Sequence, residues 1–142
     1  MPVAQACNDW PAALQARWLP DPDGWLAALG SEIRWQSESL RMYGRSLAVP
    51  RQVAWYGDPG VCYRYSGLDH EASGWTPTTA ALRDWLVDQY QRPFNFVLLN
   101  HYRSGADYMG WHTDAERTLQ GDVCSVSLGA SRRLLLEPPG DA

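Results

Sequence analysis

The 142-residue chain contains no lysine, three histidines and three cysteines. Each scarcity limits what the protein can be. Without lysine, all twelve basic side chains are arginine. The cysteines, Cys7, Cys62 and Cys124, are odd in number and far apart, with no CxxC pair. They read as free thiols of a reducing compartment rather than a disulfide framework, and a cytoplasmic location is expected. No apolar run approaches the roughly 18 residues of a membrane span, and MPVAQACNDW lacks the basic start and apolar core of a signal peptide. The formal net charge of −4 argues against a non-specific polyanion binder.

What is present is unevenly spread. Between residues 41 and 64, Arg41, Arg45, Arg51 and Arg64 face a single acid, Asp58. Arginine binds phosphate with a planar two-pronged fork and stacks on bases. A genome that favours arginine would give the same cluster on an ordinary solvated face.

Length fixes one domain with a real core. Residues 1–20 are rich in Ala and Pro and read as a loosely held arm; residues 21–142 form the domain. Asp21-Pro22-Asp23-Gly24 opens a short helix that Gly30 should stop. Ile33 and Trp35 begin an extended stretch. Met42-Tyr43-Gly44 reads as a turn between strands, and Val49 to Tyr56 as a strand closed by the turn Gly57-Asp58-Pro59-Gly60. Val61 to Ser66 is another strand, with Tyr63 and Tyr65 on one face; Gly67 to Gly74 is a loop. Thr76-Pro77 marks a helix start, followed by the apolar stripe Leu82, Trp85, Leu86 and Tyr90 as far as Gln91. Val123 to Leu128 alternates cleanly, with Cys124, Val126 and Leu128 facing one way, and Arg132 to Leu136 starts a last strand. The order of elements predicts an α+β domain, with helices covering one face of an antiparallel sheet.

The stretch of most chemical interest is Phe94 to Arg117. It reads as two strands turning at Ser104-Gly105-Ala106. If they pair symmetrically about Gly105, Asn100, Tyr102, His112 and Asp114 share a face, while His101, Met109 and Trp111 lie on the other. A slip of one residue would break that alignment. His112-Thr113-Asp114 can place an imidazole and a carboxylate on one metal ion, two thirds of the facial triad of non-haem Fe(II) oxygenases. Alone, His-x-Asp is more often a surface histidine beside a solvated acid.

The longer pattern is more specific. Asn100-x-Tyr102, His112-x-Asp114 and Ser125-Val126-Ser127-Leu128-Gly129 resemble the AlkB family of Fe(II)/2-oxoglutarate dioxygenases. Pro50 to Asp58, Tyr63-x-Tyr65-Ser66-Gly67 and Phe94 to Asn100 resemble its branch that repairs alkylated DNA. The resemblance implies a double-stranded β-helix, a jelly-roll-like pair of sheets. It makes His112 and Asp114 iron ligands and gives Asn100 and Tyr102 to 2-oxoglutarate. It sets Tyr63, Ser66 and Glu116 around the damaged base. Met42-Tyr43-Gly44 matches a finger that fills the gap left by a flipped nucleotide, and Arg45 and Arg51 would lie near backbone or base. The implied reaction hydroxylates an N-methyl group on a DNA base, which then leaves as formaldehyde, at the expense of O2 and 2-oxoglutarate.

The family pattern also needs a second histidine ligand well after His-x-Asp, and arginines for the 2-oxoglutarate carboxylates near the C-terminus. No histidine follows His112. The expectation is therefore a shortened chain that lacks its C-terminal strands, binds iron poorly and has weak or no activity. Alkylated single- or double-stranded DNA is the expected partner, the chain is expected to be monomeric, and no membrane is involved. The alternatives are an AlkB-like oxygenase acting on RNA or protein, and a non-catalytic nucleic-acid-binding domain that kept the fold.

Overall fold

The computed structural model describes residues 3–4, 14–15, 18–65, 67–112 and 123–137, with Tyr65 by its backbone alone. Two helices and seven strands lie among them, and every ladder is antiparallel. The chain divides into two compact units, Met1–Ala27 with Val126–Ala142, and Ala28–Ser125.

In the smaller unit, β1 (Val3–Ala4) pairs with β2 (Leu14–Gln15) over two residues each. Trp18, Leu19 and Pro22 line a half-open cleft of about 320 Å³ with Val126, Ser127 and Leu128. The expected loose arm lies mostly outside the described residues. Helix α1, Pro22–Glu32, starts in this unit and ends in the larger one. Its first turn is set by Asp21, whose side chain accepts the Gly24 N–H at 3.2 Å. Gly30 does not stop it. The helix runs two residues further, so that Ile33 joins Leu29 in the core. A glycine costs an interior helix position only about 1 kcal/mol, which such burial offsets.

The larger unit is built on β3 (Gln36–Met42), β4 (Arg45–Gly57) and β7 (Phe96–His101), in the order β3-β4-β7. Met42 faces Arg45 across a two-residue turn, with Tyr43 at φ 52° and Gly44 at φ 73°. Two successive left-handed residues make the tight turn whose twist matches a hairpin. Val53 and Ala54, 1% and 2% exposed, are the buried centre of the sheet.

The ladder between β3 and β4 is irregular. Ser37 faces Gln52 but Ser39 faces Ala48, so Val49, Pro50 and Arg51 lie opposite Glu38. Proline has no N–H to give to a ladder and is confined to edges and bulges. The alternation holds through the bulge: Val49, Arg51 and Val53 are buried on one face of β4, and Glu38 shares the half-buried positions of β3 with Leu40.

A second ribbon pairs β5 (Cys62–Tyr65) with β6 (Leu68–Glu71). The segment Gly67 to Gly74, expected as a loop, thus contains a strand, and His70 on it is buried. The ribbon meets β4 at Gly57, which bridges Gly74. A Cβ at Gly57 would stand 2.6 Å from the Asn95 carbonyl oxygen and 3.1 Å from the Ala72 methyl, so only glycine fits.

Helix α2 is Pro77–Tyr90. Its boundaries follow the sequence: Thr76 caps it, Thr79 returns a bond to the Thr76 backbone, and Gln91 closes it in the left-handed region. The Glu32 carboxylate also accepts the Thr78 N–H, a negative charge at a helix N-terminus. Leu82 and Leu86 are buried.

Downstream of His101 the expectations fail in part. Ser104 to Asp107 does turn, with the Asp107 N–H bonded to the Ser104 carbonyl. No second hairpin strand follows among the described residues; β7 pairs with β4 instead, and Asn100 faces Val53 rather than Gly110. Residues 123–128 keep their alternation of exposed and half-buried side chains, but neither they nor 132–136 form a described ladder. No described helix is long and apolar enough to cross a membrane.

Candidate active site

Strand β4 carries the centre of the site. Arg51, on the same face of β4 as Val49 and Val53, is 5% exposed. Its Nε donates to Asn100 Oδ1 at 3.0 Å, and its Nη1 to the Tyr108 carbonyl at 3.5 Å. The Tyr108 N–H returns a bond to the Pro50 carbonyl at 2.8 Å. The segment after β7 is therefore fastened to the bulge rather than folded back along β7. Two residues named separately from the sequence, Arg51 and Asn100, are brought into direct contact.

That contact orients Asn100. With Oδ1 committed to the guanidinium, the amide NH2 turns the other way as a donor. A donor amide beside a guanidinium suits a carboxylate ligand. Tyr102 follows two residues later and is half-buried.

The turn is clamped by a pair that the sequence reading missed. Asp107, buried, accepts from Arg103 Nε at 2.7 Å, from Arg103 Nη2 at 3.1 Å and from the Arg103 backbone N–H at 3.0 Å. The hydrogen bond, and then the charge of Asp107, raise the Arg103 pKa further. The signal was available as arginine and aspartate four apart across Ser104-Gly105.

His112 is exposed, with Nδ1 2.9 Å from the Gly110 carbonyl. A carbonyl only accepts, so Nδ1 is the donor in this contact. Of the two iron ligands that the resemblance names, His112 alone is described, and Asn100 offers a donor amide to a carboxylate. Asp114, Glu116 and Ser66 lie outside the described residues, as does the His112–Asp114 geometry. No cluster of three or more metal-ligating side chains occurs among the described residues.

The remaining predicted residues form two groups. Tyr63 on β5 is buried, its ring 5.6 Å from that of Phe96 on β7. Met42, Tyr43 and Gly44 occupy the β3–β4 turn, where Tyr43 is 97% exposed. Arg45 begins β4 directly beyond them and is exposed. His101 is exposed on the opposite face from Asn100, its Nδ1 3.0 Å from Gln52 Oε1 and its ring 5.1 Å from that of Trp35.

Comparison with known proteins adds an independent line. Residues 15–141 match the family model described as the 2OG-Fe(II) oxygenase superfamily. Over 95 residues, 66% of the chain and 40% of the relative, the sequence is 40% identical to a protein named DNA oxidative demethylase ALKBH2 of Mus musculus. It is 29% identical over 133 residues, 88% of the chain and 42% of the relative, to the Arabidopsis thaliana protein of that name. It is 30% identical over 117 residues, 80% of the chain and 40% of the relative, to alpha-ketoglutarate-dependent dioxygenase alkB homolog 3 of Mus musculus. The chain spans about two fifths of the length of these curated relatives.

Proposed function

Because the chain belongs to the 2OG-Fe(II) oxygenase superfamily, as an AlkB-type member, we propose that it serves the oxidative demethylation of N-alkylated bases in DNA. The three sheets are read as part of a jelly roll. His112 and Asp114 supply two ligands to Fe(II), and Asn100 and Tyr102 bind 2-oxoglutarate. When bound, that pair would activate O2, the oxidant, for hydroxylating an N-methyl group.

The protein's own residues do the positioning. Arg51 holds the Asn100 amide so that its NH2 donates to a 2-oxoglutarate carboxylate. The Gly110 carbonyl keeps the His112 proton on Nδ1 and turns Nε2 to the metal. Tyr63 and Ser66 wall the base pocket, and Glu116 lies near the damaged base. Arg45 and Arg51 provide positive charge along the strand that leads from the finger. The protein works as a monomer in the cytoplasm.

The observation that carries the reading is the finger: Met42 half exposed and Tyr43 97% exposed at the tip of a tight hairpin. Two adjacent large side chains held out at the tip of a tight hairpin have the shape of a wedge that could enter between base steps. Fluorescence anisotropy on matched duplexes, one containing 1-methyladenine, tests it. The methylated duplex is expected to bind at least fivefold tighter; equal affinity would overturn the proposal.

A further inference from the structure

His70 takes no part in the site described above, yet it is 1% exposed and among the most deeply buried large side chains of the chain. Its ring is enclosed by three strands. On β5, the Tyr63 carbonyl lies 3.2 Å from Nδ1, Tyr63 being also its cross-strand partner. On β3, the two Glu38 carboxylate oxygens lie 3.2 and 3.1 Å from Nε2. On β4, the Trp55 ring meets it edge-on at 4.5 Å, with Trp55 Nε1 donating to the Glu71 carbonyl.

Those contacts constrain the protons. A carbonyl accepts and never donates, and so does an ionised carboxylate. Both ring nitrogens therefore face acceptors, so the geometry offers a partner to an N–H on each. A buried imidazolium is tolerated where a carboxylate is paired to it and the remaining N–H is satisfied, and both conditions hold here. The partner, Glu38, lies opposite Val49, Pro50 and Arg51 where the ladder shifts.

The pair also joins two sheets. Glu38 belongs to the β3-β4-β7 sheet and stands four residues before Met42 on the strand that becomes the finger. His70 belongs to the β5–β6 ribbon and is bonded to the backbone of Tyr63. We propose that His70 and Glu38 are positioning residues: an imidazolium–carboxylate bond between the sheets that fixes the finger hairpin relative to the Tyr63 wall of the base pocket. The role at DNA rests on the function proposed above; the bond between the sheets does not.

Three measurements separate those parts. Long-range 1H–15N correlation of the wild-type His70 ring should show both nitrogens protonated, and Glu38→Gln should leave one. A neutral ring in the wild-type protein would overturn the proposal. Hydrogen exchange should then rise at least fivefold in Glu38→Ala both at residues 40–42 and at residues 62–65, with the amides of α2 unchanged. A rise confined to β6, or none, would also overturn it. Finally, Glu38→Ala should lose at least fivefold of the preference for methylated over unmodified duplex. Full retention of that preference would remove the positioning role. If the wild-type chain itself shows no preference, the DNA reading falls, while ring protonation and exchange still decide the bond between the sheets.

Discussion

Residues 36–101 and residues 123–137 carry similar sequence signals and have different fates. Both contain alternating apolar runs of strand length. In the first region the runs became ladders, and Val53 at their centre is 1% exposed. In the second, Val123 to Leu128 keeps its alternation and Leu134 to Leu136 its hydrophobicity, but the described residues offer them no ladder, and Leu135 is 62% exposed. Period-two alternation fixes which side chains share a face; it does not supply the neighbouring strand that satisfies the backbone.

Thermal or denaturant unfolding of single variants can break that contrast. Leu86→Ala removes a buried side chain of α2 and should cost about 3 kcal/mol. Gly57→Ala should cost about 2 kcal/mol, because its Cβ meets backbone rather than a yielding side chain. Thr76→Ala, which opens the capping box, should cost about 1 kcal/mol. Leu135→Ala should cost less than about 0.5 kcal/mol, as an exposed position does. A Leu135 effect as large as that of Leu86 would mean that the downstream segment is packed as the upstream one is.

The smallest effect concerns Cys124, half-buried in the second region. Burial pushes its thiol pKa up. Below the ordinary thiol value, about 8.5, folded and unfolded states both hold the proton and stability is indifferent to this group. As pH rises past it, the unfolded thiol ionises first and the folded state loses stability. The melting temperature should therefore fall slightly more between pH 8 and 10 in the wild type than in Cys124→Ala. Iodoacetamide should label Cys124 more slowly in the native protein than in urea; equal rates would place the thiol in solvent.

The legibility of the sequence followed the range of the interactions. Thr76-Pro77 and Tyr43-Gly44 are local signals, and the helix and turn stand where those residues put them. Strand β6 was hidden because Leu68-Asp69-His70-Glu71 carries three titratable residues, and the reason it is a strand, pairing with β5, is not written within it. The symmetric hairpin about Gly105 failed for the same reason: β7 found its partner about 45 residues away on β4. Of the candidate site, the residue types were readable. The Arg51–Asn100 contact was not, because it depends on the β4–β7 register, which sets Asn100 opposite Val53, two residues from Arg51 on the same face.

The central claim is that the exposed tip of the β3–β4 hairpin takes the place of a base removed from the stack. It is tested most directly by 2-aminopurine placed beside 1-methyladenine in a duplex. Wild-type protein should raise the fluorescence as the neighbouring base is extruded and stacking is lost, and Tyr43→Ala should abolish most of that rise while unfolding at the wild-type temperature. An equal rise with Tyr43→Ala would contradict the claim.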